Sequence, residues 1–204
     1  MMKNMLPFLT GLIICASVSL AAYKDGFITS GEYEYGVRWY TNDPPLIIDG
    51  GGADVIEMWD YSCLEVRSTS TPINNDFDTG GIWDIFLDDH SELLYLNGAT
   101  EEITIEENAK AILRGGRIDA ITSMQYATLK HIDFYCRPGW SWLLNDQDKI
   151  GITGLWENST PFSIEFIDDA DYDPAWMNIN VIEVPEPTAL TLQALGGFLI
   201  RRKK

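Results

Sequence analysis

Between residues 51 and 133 apolar side chains stand two apart, as in Ile103-x-Ile105 and Ala111-x-Leu113. Two is the strand period: both side chains of such a pair point to one face of an extended chain. A glycine, or an acid followed by a small residue, breaks the alternation at short intervals, which is the chemistry of tight turns. The pattern also repeats. Units starting at Gly51, Gly80, Gly98 and Gly116 align without gaps, the last three 18 residues apart. One column reads Ile56, Ile85, Ile103, Ile121, and two residues on comes Met58, Leu87, Ile105, Ser123. A small-residue column follows, Ser62, Ser91, Ala109, Ala127, and then Leu64, Leu93, Ala111, Leu129. An insertion at 69–79 accounts for the longer first interval. Residues 36–48 read as a degenerate earlier unit, with Leu46 and Ile48 at the Leu64 and Val66 positions and Pro44-Pro45 blunting its edge.

Strand-turn-strand units that repeat this closely stack equivalent residues about 4.8 Å apart. The expected fold is all-β, a short β-solenoid of about four 18-residue rungs with a C-terminal β cap. The alternative is a β-sandwich, in which alternation and turns occur without a fixed register. After Phe134 the repeat fades, but Ile150-x-Ile152 and Phe162-x-Ile164-x-Phe166 still alternate like half-buried strands. Leu94, Leu96, Ile112 and Ile132 fall on the outer side of the second strands. Since an exposed apolar ladder would be adhesive, either the tryptophan-rich segment around Trp140 and Trp142 covers them, which is the expectation, or they form a docking face.

Both ends depart from this pattern. Residues 1–22 hold Lys3, an apolar run at 5–16 and the small residues of Ser19-Leu20-Ala21-Ala22, the layout of a secretory signal. Cys15 follows Ile14, where a lipoprotein signal requires a small residue. At the other end Val184-Pro185-Glu186-Pro187 precedes thirteen apolar-leaning residues and then Arg201-Arg202-Lys203-Lys204. This order resembles the PEP-CTERM sorting signal of bacterial envelope and extracellular proteins. The resemblance implies that a membrane-embedded sorting protease, an exosortase, recognises Pro185, Glu186 and Pro187 and removes the tail. A helix of that length spans about 20 Å against a hydrocarbon core of about 30 Å, which suits a transient anchor. Arg201, Arg202, Lys203 and Lys204 would stop translocation on the cytoplasmic side. The Gly51-Gly52, Gly80-Gly81 and Gly115-Gly116 pairs also resemble the unit starts of other small proteins with this tail. The expected order is signal peptide (1–22), N-terminal segment with a degenerate rung (23–50), repeats (51–133), cap (134–183) and sorting segment (184–204).

Charge narrows the partners. All 31 acidic residues lie between 23 and 187, whereas five of the 14 basic ones lie outside that stretch. So acidic a body excludes nucleic acid and anionic membrane as partners, and leaves membrane contact to the tail. It favours cations and self-repulsion at low salt. Cys63 and Cys136 are the two cysteines beyond the signal. An oxidising compartment permits one disulfide between them, and two buried free thiols are the other reading.

Candidate chemistry is sparse. Asp60, Asp89 and Glu107 occupy one column, completed by Gln125. Stacked carboxylates repel unless a cation intervenes, so the column either binds calcium weakly or caps its own turns. Asp169-x-Asp171-x-Asp173 resembles the start of a calcium loop, but Pro174 stands where the loop needs glycine, so a solvated acidic turn is expected. Asp76-x-Asp78 is a similar short cluster, and Asn158-Ser159-Thr160 reads as a turn. The two histidines, His90 and His131, form no zinc motif, and neither a nucleophile elbow nor a phosphate loop is present. Asp88-Asp89-His90 is similar to the acid pairs of polysaccharide hydrolases, but it falls at a turn. No enzyme is expected. The chain reads as an exported acidic protein of the cell surface or extracellular matrix, structural or adhesive, with exopolysaccharide as a partner. The alternative is a carbohydrate-binding module using Trp59, Trp83, Phe86 or the Trp140/Trp142 pair. Ice binding ranks below both, because its column reads Glu57, Phe86, Thr104, Thr122, only two threonines.

Overall fold

The computed structural model describes residues 26–72, 76–77, 80–125 and 130–185. The expected signal peptide lies outside the described residues, as do Glu186, Pro187 and the four terminal cations of the tail. Among the described residues no helix is long and apolar enough to cross a membrane. The chain is all-β. Its strands are β1 (Phe27–Thr29), β2 (Tyr33–Glu34), β3 (Val37–Trp39), β4 (Leu46–Asp49), β5 (Gly52–Met58), β6 (Cys63–Ser68), β7 (Ile82–Leu87) and β8 (Glu92–Tyr95). They continue with β9 (Ala99–Glu106), β10 (Lys110–Leu113), β11 (Arg117–Met124), β12 (Ile132–Cys136), β13 (Ser141–Asn145), β14 (Asp148–Leu155), β15 (Pro161–Ile167) and β16 (Ile179–Glu183).

From β5 to β12 the chain alternates between two open sheets. One has the order β1-β4-β6-β8-β10-β12-β16, the other β13-β14-β15-β11-β9-β7-β5-β2, with β3 also on β5. Pairing between these strands is parallel, except that β14 runs antiparallel to β13 and β15. A hairpin-built sandwich pairs its strands antiparallel, so the parallel ladders speak for the repeat. The register is that of the sequence columns: Ile56 pairs with Ile85, Ile85 with Ile103, and Ile103 with Ile121. On the other sheet Leu46, Leu64, Leu93 and Ala111 are successive partners, which places residues 36–48 in register as expected. Inward side chains of both sheets form one core cluster. Burial alternates cleanly, as in β10, where Ala111 and Leu113 are buried and Lys110 and Ile112 are exposed. Turns at the unit starts need glycine: Gly116 has φ +82, and a Cβ there would lie 2.7 Å from the Gly98 carbonyl oxygen.

The structure corrects five expectations. Ala111 pairs with Ile132, not Leu129, so β12 enters the ladder three residues later than the 18-residue repeat places it. The odd offset reverses parity, and Ile132, expected outside, is fully buried. β12 also runs across the expected cap boundary at 133/134. Pro44-Pro45 blunts no edge, because β1 pairs with β4 beyond it and the Pro44 carbonyl instead accepts the Trp39 indole N–H at 2.5 Å. The cap does not cover Leu94 and Ile112. It extends the two sheets instead, β15 joining β11 and β16 joining β12.

Candidate functional site

Each unit turns from its first strand to its second through a corner residue in the left-handed region. Asp60 has φ 57, Asp89 φ 56 and Glu107 φ 50. The corners stack by backbone hydrogen bonds: the His90 amide donates to the Asp60 carbonyl and the Asn108 amide to that of Asp89, both at 2.9 Å. The expected column therefore exists. Its carboxylates, however, do not form the expected set. Asp88, Asp89 and Glu107 each bring a carboxylate oxygen within 4.8 Å of the others, whereas Asp60 lies outside this group. Instead the Asp60 amide donates to Asp89 Oδ2 at 3.1 Å. Asp89 thus braces the neighbouring unit rather than the amide two residues along, and Asp88, the residue that follows β7, joins the group. Glu106 stands beside them, and burial, followed by Asp88 and Glu107, raises its pKa.

Gln125 closes the column differently. It is 2 % exposed, and its Nε2 donates to the carbonyls of Glu106, Glu107 and Ala109 at 3.2, 2.9 and 3.1 Å. An amide that satisfies three turn carbonyls does the work of a cap. Three clustered carboxylates supply hard oxygen ligands of the kind calcium takes, but fewer than the six to eight of a full shell. His90 is absent from the group and stacks on Tyr61 with ring centroids 4.7 Å apart. Asp169 accepts the Asp171 amide at 2.9 Å, a local acidic turn as expected. Asn158 likewise accepts the Thr160 amide at 2.9 Å.

A second set of acids occupies the outer face of the larger sheet. Asp84 pairs in register with Glu102, which pairs with Ala120, which pairs with Glu165. Burial, then Glu102 and Glu101, pushes the Asp84 pKa up to about 6. Glu102 accepts hydroxyl hydrogens from Thr104 and Thr122. Those two threonines are only 4 % exposed. They serve Glu102 and offer no flat hydroxyl face to ice.

The aromatic candidates separate. Trp83 is 41 % exposed. Trp140 and Trp142 are partly buried against the core and meet edge to face at 5.1 Å. The Lys149 ammonium lies over Trp142 and Trp176. Trp156, which the alternation does not single out, is fully buried, donates its indole N–H to the Gly116 carbonyl at 2.7 Å and stacks on Phe134.

The cysteines do not pair. Cys63 is exposed at the start of β6 and Cys136 is buried at the end of β12; both are free. Three strand spacings of about 4.8 Å separate them across the sheet, beyond the roughly 7 Å Cα limit of a disulfide. No family model, curated protein or solved structure matches this chain.

Proposed function

We propose that this chain is an exported acidic protein of the cell surface or extracellular matrix, built as a short β-solenoid and acting as a structural or adhesive element rather than an enzyme. The observation that carries the reading is the in-register parallel ladder with carboxylates stacked on its outside, Asp84 above Glu102 on one sheet and Asp88, Asp89 and Glu107 at the corners. Such a body is rigid, repels copies of itself at low salt and takes divalent cations weakly as bridges. Exopolysaccharide is the partner class that suits it, through those cations and through hydroxyl contacts to the carboxylates. Pro185, Glu186 and Pro187 are the proposed recognition residues for an exosortase, with Arg201 to Lys204 as the transient stop.

The test is the intact mass of the native protein from membrane and extracellular fractions. A mass ending near residues 185–187 supports the sorting reading. A mass that retains Arg201 to Lys204, found only with membranes, overturns it. A second reading, a carbohydrate-binding module, is favoured by one observation, the exposure of Trp83. Quenching of its fluorescence by acrylamide, relieved by an added glycan, would support that reading, and quenching indifferent to glycans would end it.

A further inference from the structure

The outer face of the seven-stranded sheet carries a groove of about 370 Å³ across the starts of its strands. Two rows of side chains bound it: Cys63, Glu92 and Lys110 in register on one side, Glu65, Leu94, Ile112 and Asp133 on the other. Its middle is apolar, with Leu94 half-buried and Ile112 36 % exposed. Toward β4 its charge is that of Glu65 and Glu92, whereas toward β16 Lys110 and Lys130 enter beside Asp133. The described residues hold three lysines, and two of them are here. In a chain of net charge −17, two lysines here stand among Glu65, Glu92 and Asp133 beside an open apolar strip.

We propose that this face docks a second copy of the chain. A closed dimer needs a self-complementary patch, in which residue i meets j and j meets i. A two-fold axis along the strands, midway between β8 and β10, reverses strand order and meets that need. It sets Glu92 of each copy against Lys110 of the other, and Leu94 against Ile112. Glu65 of each copy then faces Asp133 of the other, a like-charged contact that occurs twice and opposes the pairing. The patch spans about four strands at 4.8 Å, far less than the roughly 800 Å² per partner of a standard interface, so the dimer is weak and depends on concentration. Apolar contact at the centre supplies the attraction, and the two Glu92–Lys110 pairs set the orientation. This inference does not depend on how the chain is exported.

Sedimentation velocity of the protein as the cell produces it, from micromolar to millimolar, tests the proposal alongside three variants. Wild type should associate as concentration rises, and alkylation of the exposed Cys63 in the groove should slow in parallel. Glu92→Lys or Lys110→Glu alone should weaken the dimer about ten-fold, and the double exchange should restore it. These side chains point outward, so each variant should keep the wild-type melting temperature and circular dichroism. Association that ignores the single exchanges, or that the double exchange fails to restore, overturns the proposal. So does a monomer at every concentration with unchanged Cys63 alkylation, or a peptide or glycan found in the groove of a monomeric protein.

Discussion

Asp84 illustrates how a stacked ladder tunes single residues. Its native pKa, about 6, lies above the ordinary 3.8. Between those values the native state holds a proton that the unfolded chain has lost, so stability falls as pH rises through that window. Asp84→Asn removes the penalty. We expect the variant to match wild type near pH 4 and to exceed it by about 1 kcal/mol near pH 8, the figure being discounted because the side chain is only half-buried. Thermal unfolding at the two pH values decides it, and an equal gain at both would contradict the ladder electrostatics. Glu107 carries a different cost, backbone strain. Its φ of 50 belongs to glycine or asparagine, and a non-glycine residue held there loses about 1 kcal/mol. Glu107→Gly should therefore raise the unfolding free energy, read from chemical denaturation, by up to about 0.5 kcal/mol after the entropy of the unfolded chain is counted. Glu107→Gln, which keeps the strain and removes only the charge, should recover less.

At the scale of the element, parity decides everything. Ile103 sits on the central strand β9 between Ile85 and Ile121 and is fully buried, whereas Ile112 on β10 points outward. Ile103→Ala should cost about 2–5 kcal/mol through lost burial and a residual cavity. Ile112→Ala should cost well under about 1 kcal/mol. Similar losses at the two sites, read from chemical denaturation, would mean that the strands are one residue out of register. The strand elements and their register were legible because burial on one face imprints a period of two on the local sequence. The register of β12 was not. Leu129 suits its column by residue type, and only the pairing of Ala111 with Ile132 reveals the shift of three residues.

The whole molecule is dominated by its charge. All 31 acidic residues lie at 23–187, so folding brings carboxylates closer than they lie in the unfolded chain. Added sodium chloride should raise the melting temperature until screening saturates, since the Debye length falls from about 30 Å at 0.01 M to about 10 Å at 0.1 M. Calcium at matched ionic strength should raise it further, and Asp89→Asn should shrink that extra increment. An increment that Asp89→Asn leaves intact would detach calcium from the corner carboxylates and assign it to the surface at large. Of the candidate site, the corner column could be seen in the sequence because the repeat aligns Asp60, Asp89 and Glu107. The addition of Asp88 could not, because it depends on where two neighbouring carboxylates point.

The sequence by itself determined the all-β class, the inward columns, the early unit at 36–48 and the acidic exterior. Each of these follows from local periodicity and composition, which act through burial and charge without reference to distant contacts. Tertiary structure alone decided the rest. It paired β1 with β4, buried Trp156 on Phe134, set three strand spacings between the cysteines, and left the Leu94–Ile112 strip open by sending β13 to β16 to extend the sheets. These outcomes depend on which strands meet across long separations in sequence. No local pattern encodes them, because a strand edge accepts any partner that satisfies its hydrogen bonds and buries its apolar face.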